Sequence, residues 1–324
     1  MQRVRSSLLL VGIAALAASS TAWGQAYPTR PVRVIVSAAA GGPSDVIGRI
    51  VAQKLGERLG QQFYVENIPT AAGNVAVGMV AKAAPDGYTL LSPTSAVVIN
   101  PSLYSNLSYD TLRDFAPVTL AAASPHVLTV HPDLPVHSVA ELIALVRANP
   151  GKYSYASPGT GTTGQLAGEL FRVALGLDLT HVPFNGAAPA VLSTIGGHTP
   201  IMFTALPSAA ANIKDGKLRA LAVTSARRYP EFPDVPTLGE ASVPDQVSAF
   251  FACILAPAGT PKPIVDTLYR EIARMIVLPD VKERLAALGF TPVANTPEEF
   301  GVELKSEVAR WAKVIRDAKI PKIE

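Results

Sequence analysis

Short runs of β-branched residues alternate with longer segments of helical periodicity along the first third of the chain. Apolar residues run nearly continuously in the predicted strands and recur at three- or four-residue spacing in the predicted helices. Gly60 supplies a helix stop, and Pro85-Asp86-Gly87 marks a turn. The predicted order is strand 32–36, helix 46–59, strand 63–65, helix 74–83 and strand 88–91. This order indicates βαβ units.

The same alternation resumes after residue 137. Ser138 and Glu141 predict a capping box before an apolar helix, and Asn149-Pro150-Gly151 ends that helix. The elements that follow are strand 153–156, helix 163–175, strand 179–182, helix 188–195, strand 201–204, helix 207–215 and strand 218–223. We therefore expect a second parallel sheet and with it a second α/β domain.

The last third of the chain predicts a return to the first domain. Residues 229–244 contain four prolines and no periodicity, which is typical of a long connection between domains. Strand 248–255 follows, then a helix from about Lys262 and a last helix that Thr296, Pro297 and Glu299 begin. The predicted fold is α/β with two domains, residues 25–123 with 247–324 and residues 124–246. A cleft between them is expected at the carboxyl ends of the strands.

The first 24 residues have the pattern of a secretory signal peptide. Arg3 and Arg5 precede an apolar run at residues 8–18, and small residues lead to Gly24. The run is too short to span a bilayer, which needs about 20 residues. We expect cleavage near Gly24 and a periplasmic product that begins at Gln25. A retained membrane anchor is the alternative, although the sequence has no stop-transfer pattern and no cysteine for lipidation there.

Composition narrows the function classes. Apolar residues make up 48% of the 324 residues and charged residues 16%, which excludes a disordered chain. Removing residues 1–24 leaves 26 basic and 25 acidic residues, so the mature chain lacks the charge excess that nucleic-acid binding requires. The single cysteine, Cys253, lies in an apolar run and is interpreted as a buried hydrophobe, which disfavours a cysteine hydrolase.

A glycine-rich loop lies between a predicted strand and helix at Gly159–Gly164. It matches the dinucleotide fingerprint G-x-G-x-x-G, but no acidic residue ends the next strand, so we predict no nicotinamide and no other cofactor. What remains is a helix start whose free N–H groups favour an anion. Ser157, Thr160, Thr162 and Thr163 add neutral donors. The alternative is a tight loop whose threonines only cap their own helix.

The loop at residues 38–45 repeats this design. Gly41 and Gly42 allow close backbone approach, and Asp45 is interpreted as a helix cap, since no histidine or second acid accompanies it. Two helix starts that face each other across the cleft would suit a small ligand with two acidic ends.

No pattern for catalysis or metal binding accompanies these loops. The sequence has no G-x-S-x-G elbow, no H-E-x-x-H and no P-loop lysine, so we do not expect an enzyme. The histidines show no metal-ligand spacing, and each is interpreted as a surface or cap residue. They are His126, His131, His137, His181 and His198.

Many ordered segments together resemble the tripartite tricarboxylate transporter receptor family, also called the Bug family of periplasmic solute-binding proteins. The resemblance covers nearly the whole mature chain. Its segments are YPTRPVRVIV, GGPSD, LGQQFYVEN, APDGYTLL, YASPGTGTTGQLAGELF, HVPFNGAAPA, GGHTPIMF, GKLRALAVTS, PDVPTLGEA and LAPAGTPKPIVD.

The resemblance implies a type II periplasmic-binding-protein fold, or Venus flytrap, that holds a small carboxylate between two domains. The implied ligand-binding residues come from five loops or strand ends. They are Ala39, Ala40, Gly41, Gly42 and Asp45; Thr94 and Ser95; Ser157, Gly159, Thr160, Gly161, Thr162 and Thr163; Phe184, Asn185 and the following Gly186; and Thr204.

The chain departs from the family pattern at several of these positions. Ala39 and Ala40 replace paired prolines, Gln165 replaces a common histidine, Phe184 replaces a tyrosine and Thr204 replaces an aspartate. The segment ENIPTAAGN also lacks an arginine and two glycines of the family pattern. These changes favour a less cationic solute that is partly apolar or aromatic.

The function that follows is a periplasmic receptor that closes on a small organic acid and delivers it to a membrane permease with two integral components. We expect a monomer with hinges near residues 121–124 and 243–248. A ligand-dependent sensor that signals to a membrane partner uses the same cleft and remains an alternative, and an exported hydrolase is a third class. Neither nucleic acid nor metal is expected as a partner.

Overall fold

The computed structural model describes residues 27–69 and 73–324. Within them the strands are β1 (Val32–Val36), β2 (Phe63–Asn67), β3 (Thr89–Ser92), β4 (Phe115–Val130), β5 (Tyr153–Ser157), β6 (Leu179–Pro183), β7 (Ile201–Ala205), β8 (Arg219–Val223), β9 (Ala249–Pro257) and β10 (Thr291–Pro292). The predicted signal peptide lies outside the described residues.

Helices of the described residues cover both faces of these strands. They are α1 (Pro43–Leu59), α2 (Asn74–Ala81), α3 (Ala96–Leu103), α4 (Val139–Ala148), α5 (Thr163–Leu175), α6 (Ala187–Ile195), α7 (Leu206–Lys214), α8 (Lys262–Ile276), α9 (Pro279–Ala287) and α10 (Pro297–Asp317). In the part of the chain that the structure describes, no helix is both long and apolar enough to cross a membrane.

The sheet has two halves that share strand β4. The first half runs in the order β2-β1-β3-β9-β4 and the second in the order β4-β7-β5-β6, with β8 and β10 also paired to β4. Strands β1, β2 and β3 are parallel to one another, as are β5, β6 and β7. Strands β4 and β9 pair antiparallel and join the two parallel sets. Each half is the α/β unit that the strand–helix alternation predicts.

The chain passes between the halves at two adjacent points. Strand β4 pairs with β9 through Pro125 and with β7 from His126 onward. On the return, Ser248 donates its N–H to the carbonyl of Thr224, and Ala249 already pairs with Pro125. The predicted hinge segments lie beside these passages. Hinge motion and the domain boundaries stay predictions.

Local sequence signals fix most helix ends. Gly60 adopts φ 70 at the end of α1, and Thr296 and Glu299 form the predicted capping box of α10. At α4, Ser138 accepts the N–H of Glu141, but the Glu141 carboxylate accepts the N–H of His137 rather than that of Ser138. The predicted reciprocal box is therefore shifted by one residue at its second hydrogen bond.

Four elements were not predicted, namely β4, α3, α9 and the two-residue β10, and in β4 and α3 internal prolines interrupt the pattern. Strand β4 extends over 16 residues although it contains Pro117 and Pro125, and its register with β9 shifts at Pro117. Helix α3 contains Pro101 and has only eight residues. Burial in the core stabilises both elements: Val98, Ile99 and Leu103 of α3 are almost fully buried. Tertiary packing overrides the local preference here.

Candidate functional site

A cavity of about 750 Å³ lies between the two halves of the sheet, at the carboxyl ends of its parallel strands. We call its walls the first face and the second face. The first face comprises lining residues from Ser37 to Ala96 together with Phe250, and the second face comprises lining residues from His126 to Ser208. Its volume is within the range of small-molecule sites.

Six helices begin at this cavity, whereas the sequence predicted two helix starts. Their N-cap residues all line it, and these are Gly42 of α1, Gly73 of α2, Ser95 of α3, Thr162 of α5, Gly186 of α6 and Ala205 of α7. Each helix N-terminus carries a partial positive charge and unsatisfied N–H groups. Among the described lining residues there is no Asp, Glu, Lys or Arg, so the field inside the cavity comes from backbone dipoles.

The Asp45 carboxylate is hydrogen-bonded within the first loop and to its neighbours. Its side chain is 3% exposed, and its Oδ2 accepts the N–H of Gly41 at 2.8 Å and Nε of Arg49 at 3.0 Å. Asn67 donates to Oδ1 at 2.8 Å and also to the carbonyl of Ala38. Burial by itself would raise the pKa of Asp45, but these donors together lower it. The N-cap of α1 is Gly42, without a side-chain cap, so the interpretation of Asp45 as the helix cap was wrong. Asp45 lies in the first turn and braces the loop from behind the cavity wall.

The second loop is braced by neutral groups. Thr162 accepts the N–H of Gln165 at 3.2 Å and donates to the carbonyl of Gly159 at 2.7 Å, while the Gln165 side chain accepts the N–H of Gly161. Beneath the loop, the Ser157 hydroxyl contacts Nε2 of His181 at 2.7 Å. The Thr162 hydroxyl is thus a helix cap, in agreement with the alternative that threonines cap their own helix.

His126 is the titratable side chain of the described cavity wall, and its interpretation as a surface or cap residue was wrong. It is 1% exposed, with Nε2 at 2.9 Å from the Thr163 hydroxyl and Nδ1 at 3.2 Å from the Ser248 hydroxyl. The pKa of His126 is lowered to about 4, mainly by burial; a hydrogen bond to the backbone of Ser248 raises it, and the charge of Arg310 lowers it. The imidazole is neutral at pH 7, and it joins the start of α5 to the returning chain.

His181 is likewise neither exposed nor a cap. Its ring lies 5.0 Å from that of Tyr155, measured between centroids, and burial lowers its pKa to about 4. Tyr155 in turn donates to Glu169, which pairs with Arg172. The second loop therefore rests on a buried network that sequence periodicity did not reveal.

Most predicted ligand-binding residues line the cavity. They are Ala39, Gly42, Thr94, Ser95, Gly159, Thr160, Gly161, Thr162, Thr163, Phe184, Asn185 and Thr204. Four predicted residues lie outside the lining, namely Ala40, Gly41, Asp45 and Ser157. Asp45 and Ser157 are buried and bonded to their own loops, which removes them from the wall. A ligand-binding role stays a prediction for every residue of this set.

Other lining residues come from outside the predicted loops. They are Ser37, Pro69, Gly73, Ala96, His126, Ala187, Ala205, Ser208 and Phe250. Most adjoin a predicted loop or a helix start, so strand ends and helix starts could have indicated them. Phe250 had no such signal, because it reaches the cavity only through the insertion of β9 between β3 and β4.

Neither a reactive thiol nor a metal-binding group is present among the described residues of the site. Cys253 is 1% exposed, and burial raises the pKa of its thiol, which makes it the inert hydrophobe that the sequence predicted. Within residues 27–69 and 73–324, no group of three or more His, Cys, Asp or Glu residues is placed to hold a metal ion.

Comparison with known proteins defines the class to which this fold and site belong. The profile of the tripartite tricarboxylate transporter family receptor, TctC, matches residues 47–320. Protein BugT of Bordetella pertussis is 36% identical over 308 residues, which cover 94% of this chain and 93% of BugT. The chain therefore belongs to the TctC receptor family, which is a family of solute-binding receptors and not of enzymes.

Two solved structures extend this result to the fold. The R. palustris protein Rpa4515 with adipate is 35% identical, has a TM-score of 0.84, and the match covers 92% of this chain and 100% of Rpa4515. MatC from Rhodopseudomonas palustris with bound malate is 32% identical with a TM-score of 0.78, over 89% of this chain and 100% of MatC. The predicted two-domain periplasmic-binding-protein fold is confirmed.

Proposed function

We propose that this protein captures a small organic acid in the cavity between its domains and delivers it to a tripartite membrane transporter. The single observation that carries the proposal is the ring of six helix N-termini around a cavity without charged side chains among its described lining residues. Anions are stabilised at helix N-termini by free N–H groups and by the helix dipole. A carboxylate fits this field without an arginine clamp.

The relatives support the same chemistry. Rpa4515 was solved with adipate and MatC with malate, and both ligands are carboxylates. Residues 25–123 with 247–324 form the first domain of the proposal and residues 124–246 the second. Closure rotates them about the two passages, at residues 125–126 and 248–249. In this scheme the lining residues predicted from the sequence contact the acid.

Location and partners follow from the family and the leader sequence. The signal peptide is cleaved near Gly24, and the mature monomer works in the periplasm. Its partner is a permease with two integral components, which receives the acid from the closed form. The TctC family profile, that of a transporter receptor, supports this partner.

A thermal-shift screen tests the binding step. The mature chain is heated with linear, hydroxy and aromatic carboxylic acids, each beside its neutral amide. A ligand at 100 times its Kd adds about 2.7 kcal/mol to the stability of the folded state, so a bound acid raises the Tm by several degrees. We expect acids, and not their amides, to raise it. A panel in which no acid raises the Tm, or in which amides do so equally, contradicts the proposal.

A further inference from the structure

The polar side chains of the first face already have partners inside the protein. The Ser37 hydroxyl accepts the N–H of Thr94 at 2.9 Å, and the Thr94 hydroxyl accepts the N–H of Ala96. Ser95 is 2% exposed and its hydroxyl bonds to the backbone of Phe251. Each of these hydroxyls therefore already has a hydrogen bond inside the protein, and that of Ser95 both donates and accepts.

At two of the three helix starts of the first face, α1 and α3, backbone donors are missing or already bonded. In α1, Pro43 at the first helical position has no N–H, and the N–H of Gly42 is bonded to the carbonyl of Ala39. The buried carboxylate of Asp45 already lies at this N-terminus, where the helix dipole favours an anion. In α3, the N–H groups of Val97 and Val98 bond to carbonyls of their own loop.

The second face keeps several donors and acceptors available, although Thr162, Thr163 and His126 are already bonded. Helix α5 has no acidic residue in its first turn, and its first N–H groups, those of Thr163 and Gly164, have no acceptor within the helix. The side chains of Thr160, Asn185 and Ser208 line the cavity without a hydrogen-bond partner among the described residues. Among the described lining residues, the polar side chains without any hydrogen bond are therefore concentrated on one wall.

Thr204 provides an independent observation on the same wall. Its side chain belongs to strand β7 and lines the cavity, it is 0% exposed, and its hydroxyl has no partner within residues 27–69 and 73–324. A buried hydroxyl without a hydrogen bond is costly, and each such group in a native fold calls for an explanation. A polar ligand atom on the second face would satisfy it.

Opposite this wall the lining is apolar. The methyl groups and rings of Ala38, Ala39, Pro43, Pro69, Ala96 and Phe250 face the cavity from the first face. A second carboxylate placed against them would lose much of its hydration without gaining a charged partner. An uncharged ligand end loses little there and buries apolar surface.

We infer that the cleft selects an organic acid with one carboxylate, which is held by the second face, and with an apolar end that packs against the first face. This inference rests on the proposed function and narrows its substrate class. It also revises the sequence-based expectation of a ligand with two acidic ends, because Asp45 already supplies the negative charge at the start of α1.

Two matched pairs of acids test the inference by calorimetry on the mature chain. Hexanoate is compared with adipate and benzoate with terephthalate, since each pair differs mainly in the second carboxylate. In whichever pair binds, we expect the monocarboxylate to bind at least tenfold more tightly. Equal or tighter binding of the dicarboxylate overturns the inference but leaves the proposed function standing. If no acid in these pairs or in the thermal-shift panel binds, the proposed function itself fails.

A matched pair of variants tests the role of the second face. Thr204→Val and Thr129→Val each remove a buried hydroxyl without a partner in the described chain, but only Thr204 lines the cavity. Both variants should fold, since neither loses a hydrogen bond within the protein. We expect Thr204→Val to weaken binding of the tighter monocarboxylate about fivefold and Thr129→Val to leave it unchanged. Equal affinities in both variants contradict the assignment of Thr204 to the ligand.

Discussion

Two glycine-rich loops of similar sequence design meet at the cavity, yet they use their helix starts differently. Residues 38–45 contain their own anion, the Asp45 carboxylate, which accepts the Gly41 N–H and pairs with Arg49. Residues 157–164 contain no acid and are braced by hydroxyls, an amide and a neutral histidine. One loop therefore satisfies its helix dipole internally, and the other leaves it for a ligand.

This difference teaches that a glycine-rich loop before a helix does not by itself predict an anion site. One carboxylate in the first turn is enough to occupy the start of the helix. Both faces of the cavity lack charged side chains among the described residues, but only the second face has polar side chains without a hydrogen-bond partner. Three perturbations test this contrast.

The largest expected effect is on the second face in acid. His126 is buried and neutral, with a folded-state pKa of about 4 against an ordinary value of 6.5. Between these pH values the unfolded chain binds a proton that the folded chain excludes, so stability falls as the pH drops through this window. The loss at pH 4 is about 3 kcal/mol for this one group. We expect His126→Gln to remove that part of the loss in urea unfolding at pH 7 and pH 4.5.

The control for this prediction is His137→Gln, because His137 is exposed. That variant should follow the wild-type dependence on pH. His181 retains its own lowered pKa in both variants, so neither becomes independent of pH. A His126→Gln protein that loses as much stability in acid as the wild type would show that another group dominates the acid response.

A smaller effect is expected from removing the anion of the first loop. Asp45→Asn loses the charge-assisted bonds to Arg49 and Gly41, which lowers the free energy of unfolding at pH 7 by about 2 kcal/mol. Because the pKa of Asp45 is lowered on folding, its contribution is present above the ordinary aspartate pKa and disappears as the pH falls. The difference from wild type should therefore shrink in acid.

The same variant alters the contrast between the faces. With the carboxylate gone, the start of α1 is available to a ligand, so the affinity for adipate relative to hexanoate should rise severalfold in calorimetry. Asp266→Asn is the matched control, because Asp266 forms an exposed i,i+4 pair with Lys262 far from the cavity lining. If the affinity for adipate relative to hexanoate is unchanged in Asp45→Asn, the Asp45 carboxylate does not influence which ligand binds.

The smallest expected effect compares one glycine from each loop. Gly41 and Gly161 both have positive φ, of 80 and 76, so alanine at either position costs about 1–2 kcal/mol of stability. Only at Gly161 would the added methyl group meet the opposite half of the molecule, 2.6 Å from Cδ2 of Leu103. At Gly41 it would meet nothing within 4 Å.

We therefore expect Gly161→Ala to weaken binding severalfold, since it hinders the approach of the second loop to α3. Gly41→Ala should lose similar stability in thermal unfolding and change affinity less. Comparable affinities in the two variants would indicate that the closed arrangement does not need this contact.

Sequence reasoning succeeded where a local signal is complete. Helix α5 has the predicted bounds, Thr163–Leu175, and the capping box at Thr296 is present. It failed at β4 and α3, because Pro117, Pro125 and Pro101 weaken the local pattern and burial restores the element. The loops of the candidate site were predicted because glycine and hydroxyl residues at strand ends form a local pattern that the sequence shows directly.

The sequence by itself determined the alternation of strands and helices and the glycine-rich loops, because each depends on residues close together in the chain. Only the tertiary structure decided which groups of those loops face the cavity. It turned Asp45 and Ser157 inward, brought Phe250 to the wall and buried His126 between Thr163 and Ser248. Strand pairing and burial act over long sequence separations, and no local pattern encodes them.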